Sequence, residues 1–221
     1  MKVRERFDQE LKKLENLLTE LSDFAISALS KSMTALEQKD IDLALQIIEK
    51  DKKANALYEE IHDFSILLIA KQQPVATDLR KIIMTLKIAT NLERIADFAV
   101  NIAKSTTRIG KDAKLLERPL ENIKRMYQIS EIMFNTGIQA FIDVDLKQAK
   151  KIAEMDHEVD RLYGETILKL FALNKSNPEK IDQIIQFLLI CRYLERTADH
   201  VTNIAENVIY LEKGKHYDLN D

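Results

Sequence analysis

Residues 92–103 read Leu-Glu-Arg-Ile-Ala-Asp-Phe-Ala-Val-Asn-Ile-Ala, and residues 194–205 read Leu-Glu-Arg-Thr-Ala-Asp-His-Val-Thr-Asn-Ile-Ala. Eight of the 12 positions are identical, whereas unrelated segments of average composition would share about one. A common amphipathic pattern accounts for the repeated Leu, Ile and Ala, but it does not account for the repeated Glu, Arg, Asp and Asn. The two segments therefore predict that the chain contains the same structural unit twice.

The similarity continues upstream of both segments at a slightly different offset. Asp40, Asp51 and the pair Leu57-Tyr58 have counterparts 105 residues later, whereas the offset of residues 92–103 is 102. The change of three residues falls at a connection between predicted helices, where chains tolerate differences in length. The sequence thus predicts two repeats, residues 1–110 and residues 111–221.

Each repeat has the periodicity of long helices. Apolar residues recur at intervals of three and four, and the chain has only 4 Gly and 3 Pro, where average usage would give about 15 and 11. Six helices are predicted. The first ends near Gln38, the second runs from Asp40 to Pro74, the third runs from Thr77 or Asp78 to Gly110, the fourth begins near Pro119, the fifth begins at Asp145, and the sixth runs from Asn177 to about Leu211. The predicted fold class is all-α, with two tandem three-helix bundles.

Composition and the chain start limit the class of protein. The net charge of −3 argues against a strongly basic nucleic-acid-binding protein. The single cysteine, Cys191, cannot form a disulfide within the chain, which fits a reducing compartment. Residues 1–6 lack the apolar stretch of a signal peptide, and no run of 18 apolar residues is present to span a membrane. We therefore expect a cytoplasmic protein that reaches a membrane only through partners.

The sequence lacks the usual marks of an enzyme. It contains neither a Gly-rich phosphate-binding loop nor a motif that pairs a nucleophile with a base. A ferritin-like di-iron enzyme would need Glu-x-x-His on two helices, with ligands that project into the bundle. The pairs with that spacing, Glu59 with His62 and Glu154 with His157, occupy non-equivalent positions in the two repeats. A non-enzymatic role is therefore expected.

Polar side chains four residues apart recur in both repeats, on neighbouring predicted helices. Such residues are neighbours on a helix surface. The pairs are Asp51 with Asn55, Glu93 with Asp97, Asp156 with Asp160, and Glu195 with Asp199. Asn101 and Asn203 continue the spacing of four residues and are candidate additional ligands. On the third and sixth predicted helices these residues lie away from the centre of the apolar stripe, so an outward-facing position is expected.

Two interpretations of the acidic pairs are open. In the first, they form a solvated face, with ion pairs from Arg94 to Asp97 and from Arg196 to Asp199 at a spacing of three residues. In the second, they bind a cation that converts mutual repulsion into attraction. Because the ligands are oxygens without His or Cys, Mg²⁺, Ca²⁺ or Mn²⁺ would suit such a site, and iron is also compatible.

The sequence resembles the PhoU family of regulators of bacterial phosphate uptake and phosphate signalling. The resemblance lies in residues 73–80 (Gln-Pro-Val-Ala-Thr-Asp-Leu-Arg) and in the repeated segments that begin at Leu92 and Leu194. With the duplicated six-helix plan, it covers nearly the whole chain. It implies two three-helix bundles related by a pseudo-twofold axis, often assembled as homodimers.

The resemblance also implies a function. Such proteins restrain the phosphate-starvation response when phosphate is plentiful, through the ATPase subunit of the phosphate ABC transporter and through a sensor histidine kinase. Some members bind metal clusters through a Glu/Asp-x-x-x-Asp motif on each repeat, which corresponds here to Glu93 with Asp97 and to Glu195 with Asp199. Asn55 departs from this pattern, because an amide stands where the second carboxylate of its helix would be.

Three further expectations follow for the surface and the role. Arg80, Arg94 and Arg196 are candidate contacts for an anion or a protein partner, although pairing within a helix is the alternative. The acidic pairs by themselves would also fit a metal-binding helical protein with another role. A purely structural helical adaptor is the third possibility.

Overall fold

The computed structural model describes residues 2–110, 117–215 and 217–219, and helices account for nearly all of them. The helices are α1 (Lys2–Gln38), α2 (Ile41–Glu49), α3 (Lys52–Gln72), α4 (Ala76–Ile109), α5 (Glu117–Asp143), α6 (Leu146–Ser176) and α7 (Ile181–Lys213). The predicted all-α fold of two tandem three-helix units is confirmed.

The structure modifies two of the predicted helices. The second is divided into α2 and α3 by a tight turn at Lys50 and Asp51, whereas its counterpart α6 is continuous. The sixth begins later than expected, because Pro178–Lys180 forms a 3-10 turn before α7 starts at Ile181. The predicted division between residues 110 and 111 stays a prediction, since residue 111 lies outside the described residues.

The turns that follow α1 and α5 show the repeat at the level of the backbone. Lys39 and Val144, 105 residues apart, both adopt left-handed conformations, with φ of 55° and 53°. The backbone N–H of the next residue, Asp40 or Asp145, donates to a carbonyl five residues earlier at 2.9 Å in both cases. Each Asp side chain then accepts a backbone N–H from the first turn of the following helix. The predicted N-caps at Asp40 and Asp145 are confirmed.

Helices α1, α3 and α4 form the first bundle, with α2 packed along α1 and α4, and helices α5, α6 and α7 form the second. The bundles meet where α4 runs antiparallel to α7. Arg80, near the start of α4, donates to the carbonyl of Leu211 at 3.1 Å. Gln183, near the start of α7, donates to the carbonyl of Ile109 at 3.2 Å. Equivalent helices therefore face each other, and α1 also contacts its counterpart α5, as a twofold relation requires.

One apolar core extends through both repeats. It includes Leu92 and Ile95 of α4 together with Ile190 and Leu194 of α7, all of them fully buried. Because α4 and α7 pack against each other as well as against their own bundles, little of their surface remains free. Within the described ranges, no helix combines the length and apolar character that crossing a lipid bilayer requires.

The shared core predicts that the two repeats unfold together. Ile95 is 0% exposed, and its substitution by Ala leaves a cavity at the junction, so Ile95→Ala should lower the free energy of unfolding by about 2–5 kcal/mol. Urea denaturation followed by circular dichroism should still show a single transition. The control Ile132→Ala removes a side chain that is 54% exposed and should change stability little. Two separated transitions in the Ile95 variant would show that the repeats are energetically independent.

Candidate functional site

The first acidic cluster consists of Asp51, Glu93 and Asp97. Asp51 lies at the break between α2 and α3, where its side chain makes no capping hydrogen bond to α3, and the other two residues lie on α4. Burial raises the pKa of Glu93, and the negative charges of Asp97 and Asp51 raise it further. Burial also raises the pKa of Asp97, with a second contribution from Asp51. Three carboxylates from two separate parts of the chain therefore act on one another.

The second acidic cluster consists of Asp156 and Asp160 of α6 with Glu195 and Asp199 of α7. Asp156 is only 4% exposed, and burial, followed by the charges of Asp160 and Asp199, raises its pKa to about 7. Burial and then the charge of Asp199 raise the pKa of Glu195 to about 7. The pKa of Asp199 is raised by burial and by Asp160. This cluster holds one carboxylate more than the first and is the more strongly desolvated.

Two oxygens of the second cluster are buried without a hydrogen-bond partner among residues 2–110, 117–215 and 217–219: Oδ1 of Asp156 and Oε2 of Glu195. A buried carboxylate oxygen without a donor costs free energy. The hydrogen bond between Asp156 and Thr202 offsets only part of the effect of burial on the pKa of Asp156. A positive group or a proton at this position would therefore stabilise the cluster.

An arginine partly neutralises each cluster, but from a different position in each repeat. Arg94 lies 3.2 Å from Asp97 and 3.5 Å from Glu93, which confirms the predicted pair with Asp97. In the second cluster the partner is Arg192, whose Nη1 lies 2.5 Å from Glu195. The sequence comparison missed Arg192 because its counterpart in the first repeat is Thr90. Arg192 and Glu195 are three residues apart, a spacing at which oppositely charged side chains of a helix can pair, and this spacing could have predicted the contact.

The expected outward position of the acidic residues on α4 and α7 is wrong for their glutamates. The side chains of Glu93 and Glu195 are only 17% and 12% exposed. The reason is that α4 and α7 contact helices on more than one side, so a direction away from one apolar stripe leads to a neighbouring helix rather than to water. A fully solvated face therefore does not describe the clusters.

The remaining candidate ligands are less enclosed. Asn55, Asp160 and Asn203 are exposed, and Asn101 is partly buried. Of these four, Asp160 is the charged residue, and its negative charge raises the pKa of Asp156, Glu195 and Asp199. The structure therefore assembles three of the predicted residues around α4 and four around α7, and leaves the asparagines at the edges.

The donor set of the second cluster fits a hard cation, because it offers four carboxylates and no sulfur or imidazole. The unpartnered oxygens of Asp156 and Glu195 are the observation that supports this fit. In the conformations shown, however, no three His, Cys, Asp or Glu side chains within the described ranges lie close enough together to hold a metal ion. Binding would require the side chains to turn toward one another and Arg192 to move away from Glu195.

The other arginines make contacts within the chain. Arg80 binds the carboxyl end of α7, where its guanidinium lies against Gly214 and faces the ring of Tyr210 at 5.8 Å. The guanidinium of Arg196 lies 5.2 Å from the centre of the Phe98 ring, instead of forming the expected close ion pair with Asp199. A role for Arg80, Arg94 and Arg196 in partner binding stays a prediction.

His200 is packed between helices, whereas His62 and His157 of the di-iron alternative are exposed. His200 sits between α4 and α7, with Nδ1 2.8 Å from Oδ1 of Asn91, and burial, then Arg196 and Arg94, lower its pKa to about 4. A neutral packed imidazole follows from this. The residues of the di-iron alternative, Glu59, His62, Glu154 and His157, are all exposed, so they do not project into a bundle.

Comparison with known proteins gives consistent results along the chain. The sequence profile of the PhoU domain matches twice, at residues 18–106 and 123–208. The chain is 36% identical over 223 residues to the phosphate-specific transport system accessory protein PhoU homolog of Clostridium acetobutylicum, with 99% of this chain and 100% of the relative covered.

Two solved structures are similar over almost their full lengths. The crystal structure of PhoU from Pseudomonas aeruginosa has a TM-score of 0.90 and 29% identity, with 95% of this chain and 100% of that chain covered. The crystal structure of the phosphate transport system regulatory protein PhoU from Streptococcus pneumoniae has a TM-score of 0.89 and 32% identity, with 96% and 99% covered.

The raised pKa values of the second cluster predict a dependence of stability on pH. With folded pKa values of about 7 for Asp156 and Glu195 and unfolded values near 4, the folded state binds more protons between these limits. The free energy of unfolding should therefore fall as the pH rises from about 4 to 7. The double variant Asp156→Asn/Glu195→Gln should flatten this dependence and be more stable than wild type at pH 8.

Urea denaturation at pH 5 and pH 8 measures the effect. Glu154→Gln, at an exposed position of the same helix, is the matched control and should keep the wild-type difference between the two pH values. An unchanged difference in the double variant would show that these two carboxyl groups titrate as they do in water.

Proposed function

The chain belongs to the PhoU family, and we propose that it restrains phosphate uptake and the phosphate-starvation response when phosphate is plentiful. The observation that carries the proposal is the match of the PhoU domain to both repeats. The named relative from Clostridium acetobutylicum is an accessory protein of the phosphate-specific transport system, and the Streptococcus pneumoniae protein is a regulatory protein of phosphate transport. Their similarity to this chain over nearly its whole length supports a shared role.

The proposed action is binding rather than catalysis. The protein would act in the cytoplasm as a homodimer, and its partners would be the ATPase subunit of the phosphate ABC transporter and a sensor histidine kinase. The family resemblance supports these partners. The two acidic clusters, repeated on α4 and α7, supply charged regions larger than the local ion pairs with Arg94 and Arg192 require, and they are the regions we expect to matter.

A promoter controlled by phosphate starvation tests this function. In phosphate-rich medium, deletion of the protein should switch the promoter on, and the wild-type protein should silence it. The variant Glu93→Gln/Asp97→Asn/Glu195→Gln/Asp199→Asn keeps the shapes of the side chains but removes their charges, and we expect it to fail to silence the promoter. The measurement is reporter activity, together with circular dichroism of the purified variant to verify folding.

The variant Glu15→Gln/Glu154→Gln, which removes acidic charges outside both clusters, is the control and should silence the promoter like wild type. A promoter that stays off after deletion, in a strain without a second copy of the gene, would contradict the regulatory function. If the cluster variant silences the promoter, the regulatory function stands, but the charges of the acidic clusters are not needed for it.

A second candidate function, metal binding, is favoured by the unpartnered buried oxygens of Asp156 and Glu195. The second cluster would provide Asp156, Asp160, Glu195 and Asp199, and the first would provide Asp51, Glu93 and Asp97 with Asn55 at its edge. A bound cation of the Mg²⁺, Mn²⁺ or iron type would neutralise the mutual repulsion of the carboxylates. This function is compatible with the regulatory one, but it does not follow from it.

Titration with Mn²⁺ in a calorimeter tests the second candidate. We expect Asp156→Asn/Glu195→Gln to lose most of the binding, and Glu93→Gln/Asp97→Asn to lose less, because the second cluster has more carboxylates. Binding should weaken as the pH falls below about 7, where Asp156 and Glu195 take up protons. Wild-type protein that binds neither Mn²⁺ nor ferrous iron at neutral pH would contradict this function and leave the regulatory proposal untouched.

A further inference from the structure

The outer face of α6 carries a regular row of six residues, spaced by four, three, four, three and four positions. The row, here called the α6 seam, comprises His157, Arg161, Gly164, Leu168, Phe171 and Lys175, and all six are exposed. Leu168 is 71% exposed and Phe171 is 54% exposed. Alternating steps of three and four are the spacing with which one helix packs along another, yet no helix of the part of the chain that the structure describes covers this row.

Gly164 is the second unusual feature of the α6 seam. Glycine is less favourable than alanine inside a helix, and Gly164 lies well inside α6 (Leu146–Ser176). A side-chain carbon added there would meet no atom of the described residues within 4 Å. Neither a left-handed backbone nor close packing within the chain therefore accounts for the glycine, whereas close approach by a second helix from outside would.

The first repeat shows that the fold does not require this row. The counterparts of Gly164 and Leu168 in α3 are Glu59 and Asp63, both exposed. At these two positions α3 is charged where the α6 seam is small and apolar, whereas Ile66, the counterpart of Phe171, is apolar and 51% exposed. Asp156 of the second acidic cluster points away from the seam, toward α7, and is 4% exposed. Asp160 of the same cluster lies at the border of the seam, three residues after His157 and four before Gly164.

The geometry points to a second copy of this chain as the occupant, with the two α6 helices packed antiparallel about a twofold axis. The order of spacings in the α6 seam is the same in both directions, so such a pair aligns all six positions with one another. Leu168 of each copy then fills the hollow over Gly164 of the other. Arg161 faces Phe171 in the next layer, and His157 faces Lys175 at the ends.

Charge complementarity favours this self-pairing over a parallel one. Near one end of the row, Glu158 is bound to Arg161 at 2.7 Å, and at the other end stands Lys175. Antiparallel packing brings Lys175 of one copy beside Glu158 of the other and places the Arg161 guanidinium over a Phe171 ring, which is a favourable cation–π arrangement. In a parallel pair, Glu158, Arg161, Phe171 and Lys175 of one copy would instead each lie beside the same residue of the other copy, so that like charges would face each other.

This inference rests on the homodimer in the proposed function and assigns its contact face. A single pair of helices forms a small interface, so we expect dissociation in the micromolar range. Analytical ultracentrifugation of the full chain between about 1 and 200 μM measures it. Wild type should pass from monomer to dimer over that range, and Leu168→Asp and Gly164→Glu, which introduce the residues that α3 carries, should weaken the dimer at least tenfold. Ile132→Asp, at an exposed position of α5, is the matched control and should dimerise like wild type.

Cross-linking tests the alignment. A mixture of the single variants Gly164→Cys and Leu168→Cys should form a disulfide-linked dimer, and either variant alone should form much less, because only unlike positions face each other. Circular dichroism verifies that each variant is folded. Wild type that stays monomeric at 200 μM would overturn both the face and the homodimer. Dimers that persist in Leu168→Asp and Gly164→Glu would overturn the face alone and leave the proposed function standing.

Discussion

The antiparallel packing of α4 against α7 is the contact on which the rest of the molecule depends. Each of these helices already belongs to its own three-helix bundle, and their mutual contact buries a second side of both. The result is one continuous core in which residues such as Leu92 and Leu194 are fully buried. Because burial of apolar surface is the main favourable contribution to folding, the two repeats gain much of their stability from each other.

This packing also explains why acidic residues on α4 and α7 have unusual environments. A helix with neighbours on several sides leaves only narrow strips of surface, and those strips face the adjacent helices α3 and α6. Glu93, Asp97, Glu195 and Asp199 occupy them. Partial burial disfavours the charged form, and Asp51 before α3 and the carboxylates of α6 add repulsion. The clusters are therefore costly to the fold unless a proton, an arginine or a cation neutralises them.

The two repeats have diverged around this common plan. The first cluster pairs with Arg94, which lies between its two acidic residues on α4, whereas the second pairs with Arg192, one turn before Glu195. The outer faces of α3 and α6 differ as well, with Glu59 and Asp63 on one and Gly164 and Leu168 on the other. Such exposed positions are free to change because they do not contribute to the shared core. The differences at Glu59, Asp63, Gly164 and Leu168 thus lie on surfaces that can meet other molecules.

The sequence by itself determined the helical fold, the duplication and the caps at Asp40 and Asp145, because helical periodicity and capping depend on residues close together in the chain. It also identified the carboxylates, since Glu, Arg, Asp and Asn repeat together at residues 92–103 and 194–205. Only the tertiary structure decided that Glu93 and Glu195 are largely buried, that Asp51 and Asp156 approach them, and that Arg192 pairs with Glu195. The physical reason is that the burial and pKa of a group depend on which helix packs against it, and periodicity along one helix does not specify its neighbours.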